Sequence, residues 1–273
     1  MTTVVTRTPS ALGLGFARAG IELRIFFRQW DAVVFTFALP VVLLVMLGSI
    51  FTGMYEGSPV TVSQYFVPGM IAGGIASTTF VNLGSSIAAD RDDGTLRRLR
   101  GAPMPPSAYF VGKALMALVV TAIEVVLVLA VGVVLFDLSL PSSPGRWFTA
   151  VWVLVLGTAA CALLGIAASG LARSARSAGA VFNLPYLVLG FCSGVFFTPI
   201  SALPEPILQL GSLFPLRWMA QGFRAAFLPD SILSQEVVHS WELGKTALVL
   251  MAWTVGGMLL ALWTFSWRSH RDR

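Results

Sequence analysis

Long apolar stretches alternate with short polar ones along this chain. Six of the apolar stretches run for about 20 residues or more, the length of helix needed to cross a hydrocarbon layer of about 30 Å. They are Ala32–Phe51, Phe66–Ala89, Tyr109–Phe136, Phe148–Leu171, Ala178–Phe197 and Thr246–Trp267. Backbone amides in lipid find no water, so each run must satisfy its own hydrogen bonds and is predicted to be helical. The expected fold is all-α and membrane-embedded, one domain over residues 1–273 with six transmembrane helices.

Two segments have other periods. In residues 10–30, Leu12, Phe16, Ala19, Leu23, Phe26 and Trp30 recur at steps of four and three, which places them on one helix face. Arg18, Glu22 and Gln29 fall on the other side, with Arg24 and Arg28 on a flank. Such a helix lies in the membrane interface with its apolar face down, either as an anchor or as a connector that also touches a cytoplasmic partner. Residues 199–228 hold Pro199, Pro204, Pro206 and Pro215, too many prolines for one continuous span. Yet Ile200, Leu203, Ile207, Leu208, Leu210, Leu213 and Phe214 are too apolar for a free loop, which predicts a helical hairpin dipping back from the outer side. A second interfacial helix follows, with Leu216, Ala220, Phe223 and Phe227 on one face and Arg217, Gln221 and Arg224 opposite.

Composition agrees with a membrane protein. The chain is 56% hydrophobic and 11% charged, where a soluble domain carries roughly 25% charged residues. Its net charge of +5 does not point to nucleic acid, because the basic residues gather at the ends of spans. With the N-terminus inside, Arg7, Arg18, Arg24, Arg28, Arg91, Arg97, Arg98, Arg100, Lys113, Arg173, Arg176, Arg268, Arg271 and Arg273 are cytoplasmic, which is 14 of the 18 basic residues. The positive-inside rule therefore puts both termini on the cytoplasmic side of the cell membrane. No basic start, apolar core and small-residue cleavage site occur in the first 30 residues, so no cleavable leader is expected. Cys161 and Cys192 lie within apolar runs and read as small buried hydrophobes, neither a disulfide nor a metal site.

The densest polar feature is the segment 90–106 between the second and third runs, beginning Asp90-Arg91-Asp92-Asp93-Gly94-Thr95-Leu96-Arg97-Arg98-Leu99-Arg100 and followed by Pro103, Pro105 and Pro106. It cannot sit in lipid and must fold at a membrane face. Gly94 allows a tight turn, Thr95 can cap a short helix, and the prolines end it. The pattern resembles the cytoplasmic coupling segment of ABC-2 type transporter permeases. A second stretch carries the same resemblance: Ser193-Gly194-Val195-Phe196-Phe197-Thr198-Pro199, then Leu203-Pro204, Phe214-Pro215-Leu216 and Gln221-Gly222-Phe223-Arg224. It is similar to the C-terminal half of such permeases of the drug-resistance and nodulation-factor type. Asp90 and Asp92 stand where that family more often has Glu, which keeps the charge and shortens the reach.

The resemblance implies a permease subunit that pairs with a second permease copy and with two copies of a separate ATPase, which would hold the ATP and Mg. The implied cargo is an amphipathic drug, natural product or lipid-like molecule. A lipid-linked glycan is the alternative. The chain has no phosphate loop of its own: Gly244-Lys245-Thr246 imitates the tail of one, but His239 stands where the first glycine is needed. No cofactor is therefore expected on this chain, and it is not expected to be an enzyme. Leu96 and Leu99 would enter a groove on the ATPase, and Arg97, Arg98 and Arg100 would seek its carboxylates. A redox subunit would need histidines within spans, and His239 and His270 lie outside them. A secondary transporter would be expected to show internal repeats, and none is evident.

Glu124 is the one ionisable residue deep in an apolar run. An intramembrane carboxyl must face protein or a cavity, either on a substrate path or subunit interface or as an interhelical contact. Asn82, Asn183, Ser77 and Thr78 are its candidate partners. Gly69-x-x-x-Gly73 and Gly190-x-x-x-Gly194 allow close helix approach, within the chain or between two copies. If the second and fifth spans line a path, Phe80, Asn82, Phe182, Asn183, Tyr186 and Phe191 are candidate path residues, though an aromatic stripe also serves plain packing.

Overall fold

A computed structural model describes residues 10–51, 53–55, 57–101, 105–172 and 174–265. Within them the chain is helical, with no strand beyond one isolated bridge between Met54 and Thr61. The first helix, α1 (Ala11–Arg28), starts where the Gly13 amide donates to Ser10 Oγ at 3.1 Å. It is followed by α2 (Trp30–Ile50), then α3 (Val62–Ala76), a π-helical segment (Ser77–Asn82) and α4 (Leu83–Asp92). Next come α5 (Thr95–Arg100), α6 (Pro106–Phe136), α7 (Pro144–Ala168) and α8 (Ala175–Cys192). The chain ends with α9 (Glu205–Ser212), α10 (Pro215–Phe227) and α11 (Leu243–Thr264).

Among the described residues, five stretches are long and apolar enough to cross a membrane: Trp30–Ile50, Val62–Asp92, Ser107–Phe136, Pro144–Leu171 and Leu243–Thr264. The expected span 178–197 is not among them. Its helix α8 covers 18 residues, includes Arg176, Asn183 and Pro185, and gives way at Ser193 and Gly194 to a turn with Gly194 at φ +68°.

Burial sorts these helices. On α2, Thr36, Pro40, Leu44 and Gly48 form one buried stripe at steps of four, while Phe35, Val42, Met46 and Ile50 are exposed. That is the pattern of a helix with protein on one side and lipid on the other. The continuous α3–π–α4 rod instead forms the middle of the molecule, with 13 of the 15 residues of α3 buried. It is rich in Gly, Ala and Ser, and small side chains let neighbouring helices come close. A capping box of Thr61 and Gln64 starts the rod, and Gln64 Nε2 also donates to the carbonyls of Phe136 and Asp137 at the end of α6. Gly165 of α7 lies against the rod's π segment. A Cβ built there would stand 2.8 Å from the Thr79 carbonyl oxygen and 2.9 Å from that of Phe80. Both are backbone atoms and cannot rotate away. Gly165→Ala is therefore expected to lower stability by about 1–3 kcal/mol through overpacking, measured as the unfolding midpoint in detergent. An unchanged midpoint would show that α7 and the rod are not held so close.

Two amphipathic helices depart from expectation in the same way. The residues of α1 that face protein are Gly15, Ala19 and Glu22, packed on α6, and Leu12, Phe16, Ile21, Ile25 and Phe27 stay exposed. Arg18 and Glu22 thus point into the bundle. In α10 all 13 residues are buried, among α3, α7 and α11. The predicted second interfacial helix is corrected on this point: its polar face does not meet water, because protein partners satisfy it. Arg224 Nε donates to Glu236 Oε1 at 2.6 Å, and Tyr65 Oη donates to the same oxygen at 3.0 Å. Arg217 Nη1 donates to the Leu208 carbonyl at 2.9 Å, and Gln221 Nε2 to that of Trp241 at 3.1 Å. Burial acts against the Arg224 charge, yet Glu236 beside it holds the guanidinium above its ordinary pKa. Arg217 has no such close acid, and burial lowers its pKa.

Candidate functional site

The base of the central rod carries the charged cluster, and four consecutive side chains there reach four different places. Asp90 Oδ2 meets Lys113 Nζ of α6 at 2.9 Å and accepts from Tyr109 Oη at 2.8 Å. Arg91 donates to the carbonyl and the hydroxyl of Ser169, at the end of α7, both at 3.0 Å. Asp92 Oδ2 accepts from the amide of Ala175 at 3.1 Å, where α8 begins. A carboxylate there also complements the positive end of that helix. Asp93 Oδ1 accepts from the Thr95 amide at 2.8 Å, the first amide of α5. The N-cap position is Gly94, without a side-chain cap, so Thr95 does not fill the expected capping role; its hydroxyl accepts from Arg98 Nη2 at 3.1 Å. Gly94 makes the expected turn, at φ +78°, a conformation that glycine adopts without strain.

Asp90, Arg91 and Asp92 are therefore the last turn of α4 rather than part of a loop. Leu96 departs further from expectation. It is 1% exposed and packs with Leu83, Ile87, Tyr109 and Ile166, and the partly buried Leu99 joins the same cluster. The apolar side of α5 is already occupied by its own bundle, so the groove-filling role assigned to Leu96 and Leu99 is corrected. Arg97 and Arg98 are exposed on the opposite side. Pro103 lies outside the described residues, as does the Arg100 side chain.

Lys113 completes this site, and sequence reasoning placed it only as one more positive charge on the cytoplasmic side. Its side chain is 2% exposed, with Nζ 2.9 Å from Glu22 Oε2 and 2.6 Å from Ser86 Oγ as well as on Asp90. Arg18 pairs with Glu22 at 2.5 Å, so two cations and two carboxylates join α1, α4 and α6 with no net charge. The signal available in the sequence was a lysine one turn inside an apolar run: a buried ammonium needs an acid, and Glu22 and Asp90 were the nearby candidates.

Deeper in the bundle, Thr78 Oγ1 donates to Glu124 Oε2 at 2.7 Å, and Glu124 lies against the backbone of Gly74. Thr78 was one of the candidate partners. Asn82 instead donates to Thr36 Oγ1 at 3.2 Å, and Asn183 to the Gly179 carbonyl of its own helix at 2.8 Å. Phe80 and Phe182 meet edge to face at 5.3 Å, with Phe182 fully buried as packing. Tyr186 lines a narrow crevice with Leu39, Pro40, Leu43, Met70, Gly73, Gly74, Ser77 and Phe196, whereas Phe191 is half exposed. Gly69 and Gly190 face Val195 and Phe196 of the same chain, so both glycine pairs serve contacts within it. Pro199, Pro204 and Pro215 precede or open the short helices beyond α8.

A bundle of apolar helices around a buried rod, whose polar foot ties the other helices together, is an integral membrane protein. The profile of the ABC-2 type transporter family matches residues 19–228, and the chain belongs to that family. It is 25% identical over 179 residues to the probable multidrug ABC transporter permease YbhR of Escherichia coli (strain K12), covering 66% of this chain and 48% of that protein. It is 22% identical over 205 residues to the putative transport permease YvfS of Bacillus subtilis (strain 168), covering 72% of this chain and 75% of that one. The match thus spans about half the length of the E. coli relative.

Proposed function

We propose that the chain is the permease subunit of an ATP-driven exporter, moving an amphipathic drug, natural product or lipid-like molecule out across the cytoplasmic membrane. Hydrolysis takes place on a separate ATPase, present in two copies and holding the ATP and Mg, and a second permease copy completes the path. In this reading α8 is the sixth span, both termini are cytoplasmic, and 199–228 lies in the outer leaflet.

The observation that carries the proposal is the run from Asp90 to Asp93. A push on α5 reaches α4 through Gly94 and is passed to α1 and α6 by Asp90, to α7 by Arg91 and to α8 by Asp92. Leu96 ties α5 to the bundle, and Arg97 and Arg98 present positive charge outward to carboxylates on the ATPase. The segment is a rigid foot with a charged sole, suited to converting ATPase closure into a change of helix packing.

The test is a mild-detergent purification of the tagged chain beside an Arg97→Glu/Arg98→Glu variant. The native chain is expected to bring down a stoichiometric nucleotide-hydrolysing protein with a phosphate loop, and the variant to lose it while remaining monodisperse. If the native chain stays folded and no such protein accompanies it, the proposal fails. Leu96→Asp would be the wrong probe, because it places a charge in the bundle's own core.

A further inference from the structure

Three carboxylates are buried among the described residues: Glu22, Glu124 and Glu236. Glu22 has Lys113 and Arg18, and Glu236 has Arg224. Glu124 has no cation. One hydroxyl, from Thr78, reaches its Oε2, and Oε1 is buried with no hydrogen-bond partner among the described residues. A buried carboxyl with an open acceptor is costly to keep, and at the two other sites this fold meets the acid with a cation.

The surroundings of Glu124 are also unlike a packing contact. Gly74 faces it, and a Cβ at that position would collide with the carboxyl group. Gly74 also borders the narrow crevice between α2, α3 and α8, so this glycine touches both the carboxyl and that space, although Glu124 itself does not line it. The crevice has apolar walls in Leu39, Leu43 and Met70 and an aromatic pair in Tyr186 and Phe196, with ring centroids 6.1 Å apart. The rod leaves α-helical geometry at Ser77, one turn from Gly74, and π segments within helices recur at functional sites. Apolar walls and aromatic faces, with an acid on the other side of Gly74, suit a lipophilic cation, with cation–π contacts adding to the ionic one.

We propose that Glu124 recognises a positively charged group on the cargo, so that the transported class is lipophilic monocations. This rests on the permease reading above. The test uses the purified full chain in lipid nanodiscs and two probes, tetraphenylphosphonium and the neutral triphenylphosphine oxide. The native chain is expected to bind the cation at least about tenfold more tightly than the neutral probe, a difference of about 1.4 kcal/mol. Glu124→Gln is expected to erase that preference and leave binding of the neutral probe unchanged, and Glu124→Asp to keep part of it. A preference that survives in Glu124→Gln, or is absent from the native chain, overturns the proposal.

A second measurement needs no variant. A hydrophobic carbodiimide is expected to label Glu124 in the native chain, with saturating tetraphenylphosphonium protecting it and the neutral probe not. Equal labelling with and without the cation, or none at Glu124, also overturns it. ATPase co-purification is read separately, so a chain that keeps its motor and ignores charge refutes this inference alone.

Discussion

Replacing Lys113 with methionine is expected to remove about 3–5 kcal/mol of stability, the usual result of deleting one partner of a buried ion pair. Methionine keeps most of the stem's volume, so packing alone should change little. The loss arises because Glu22 and Asp90 both lean on the ammonium at 2.9 Å, and Glu22 is itself buried. Without it, two carboxylates face each other at the junction of α1, α4 and α6. The measurement is the unfolding midpoint in detergent for the native chain, Lys113→Met, and Lys113→Met/Asp90→Asn. The double variant is expected to recover much of the loss, because it removes one charge of each sign and leaves Glu22 paired with Arg18. A loss below about 1 kcal/mol, the range of solvent-exposed pairs, would mean that water reaches the site and α1 is not clamped to the foot of the rod.

Arg224→Leu is expected to be damaging to a similar degree, about 3–5 kcal/mol, at the far end of the molecule. Its guanidinium is fully buried, pairs with Glu236 and lies over the Tyr65 ring at 5.2 Å. Removing it strands Glu236, which then has the Tyr65 hydroxyl alone. Arg224→Leu/Glu236→Leu is expected to be more stable than Arg224→Leu. An interfacial helix with its arginine in water would lose less than about 1 kcal/mol instead, so the single variant separates the two arrangements of α10. The Lys113 and Arg224 sites share no residue, and their effects are expected to add.

Helix α10 also shows where reading the sequence stops. The period of α1 and α10 marked both as helices, because a helix repeats every 3.6 residues whatever surrounds it. The periodicity did not say what the polar face meets. Lipid below and water above satisfies such a helix, and so does protein all round if its polar side chains find partners. Arg217, Gln221 and Arg224 each find one, in Leu208, Trp241 and Glu236, from 9 to 20 residues away. Leu96 illustrates the converse. Its hydrophobicity called for burial, and both the home bundle and a partner's groove offer that.

The sequence by itself determined five of the stretches that are apolar and long enough for a membrane, which segments are amphipathic, and where the charged foot lies. Those properties follow from the composition and period of neighbouring residues. It also carried the family, through motifs at fixed positions. Tertiary structure alone decided that α3–π–α4 is the buried centre, that α10 is enclosed, that Lys113 closes a four-charge network, and that Glu124 keeps an unpaired oxygen. Each of these is a choice of partner between residues far apart in the chain, set by which surfaces pack against which, and helical periodicity holds no information about that choice.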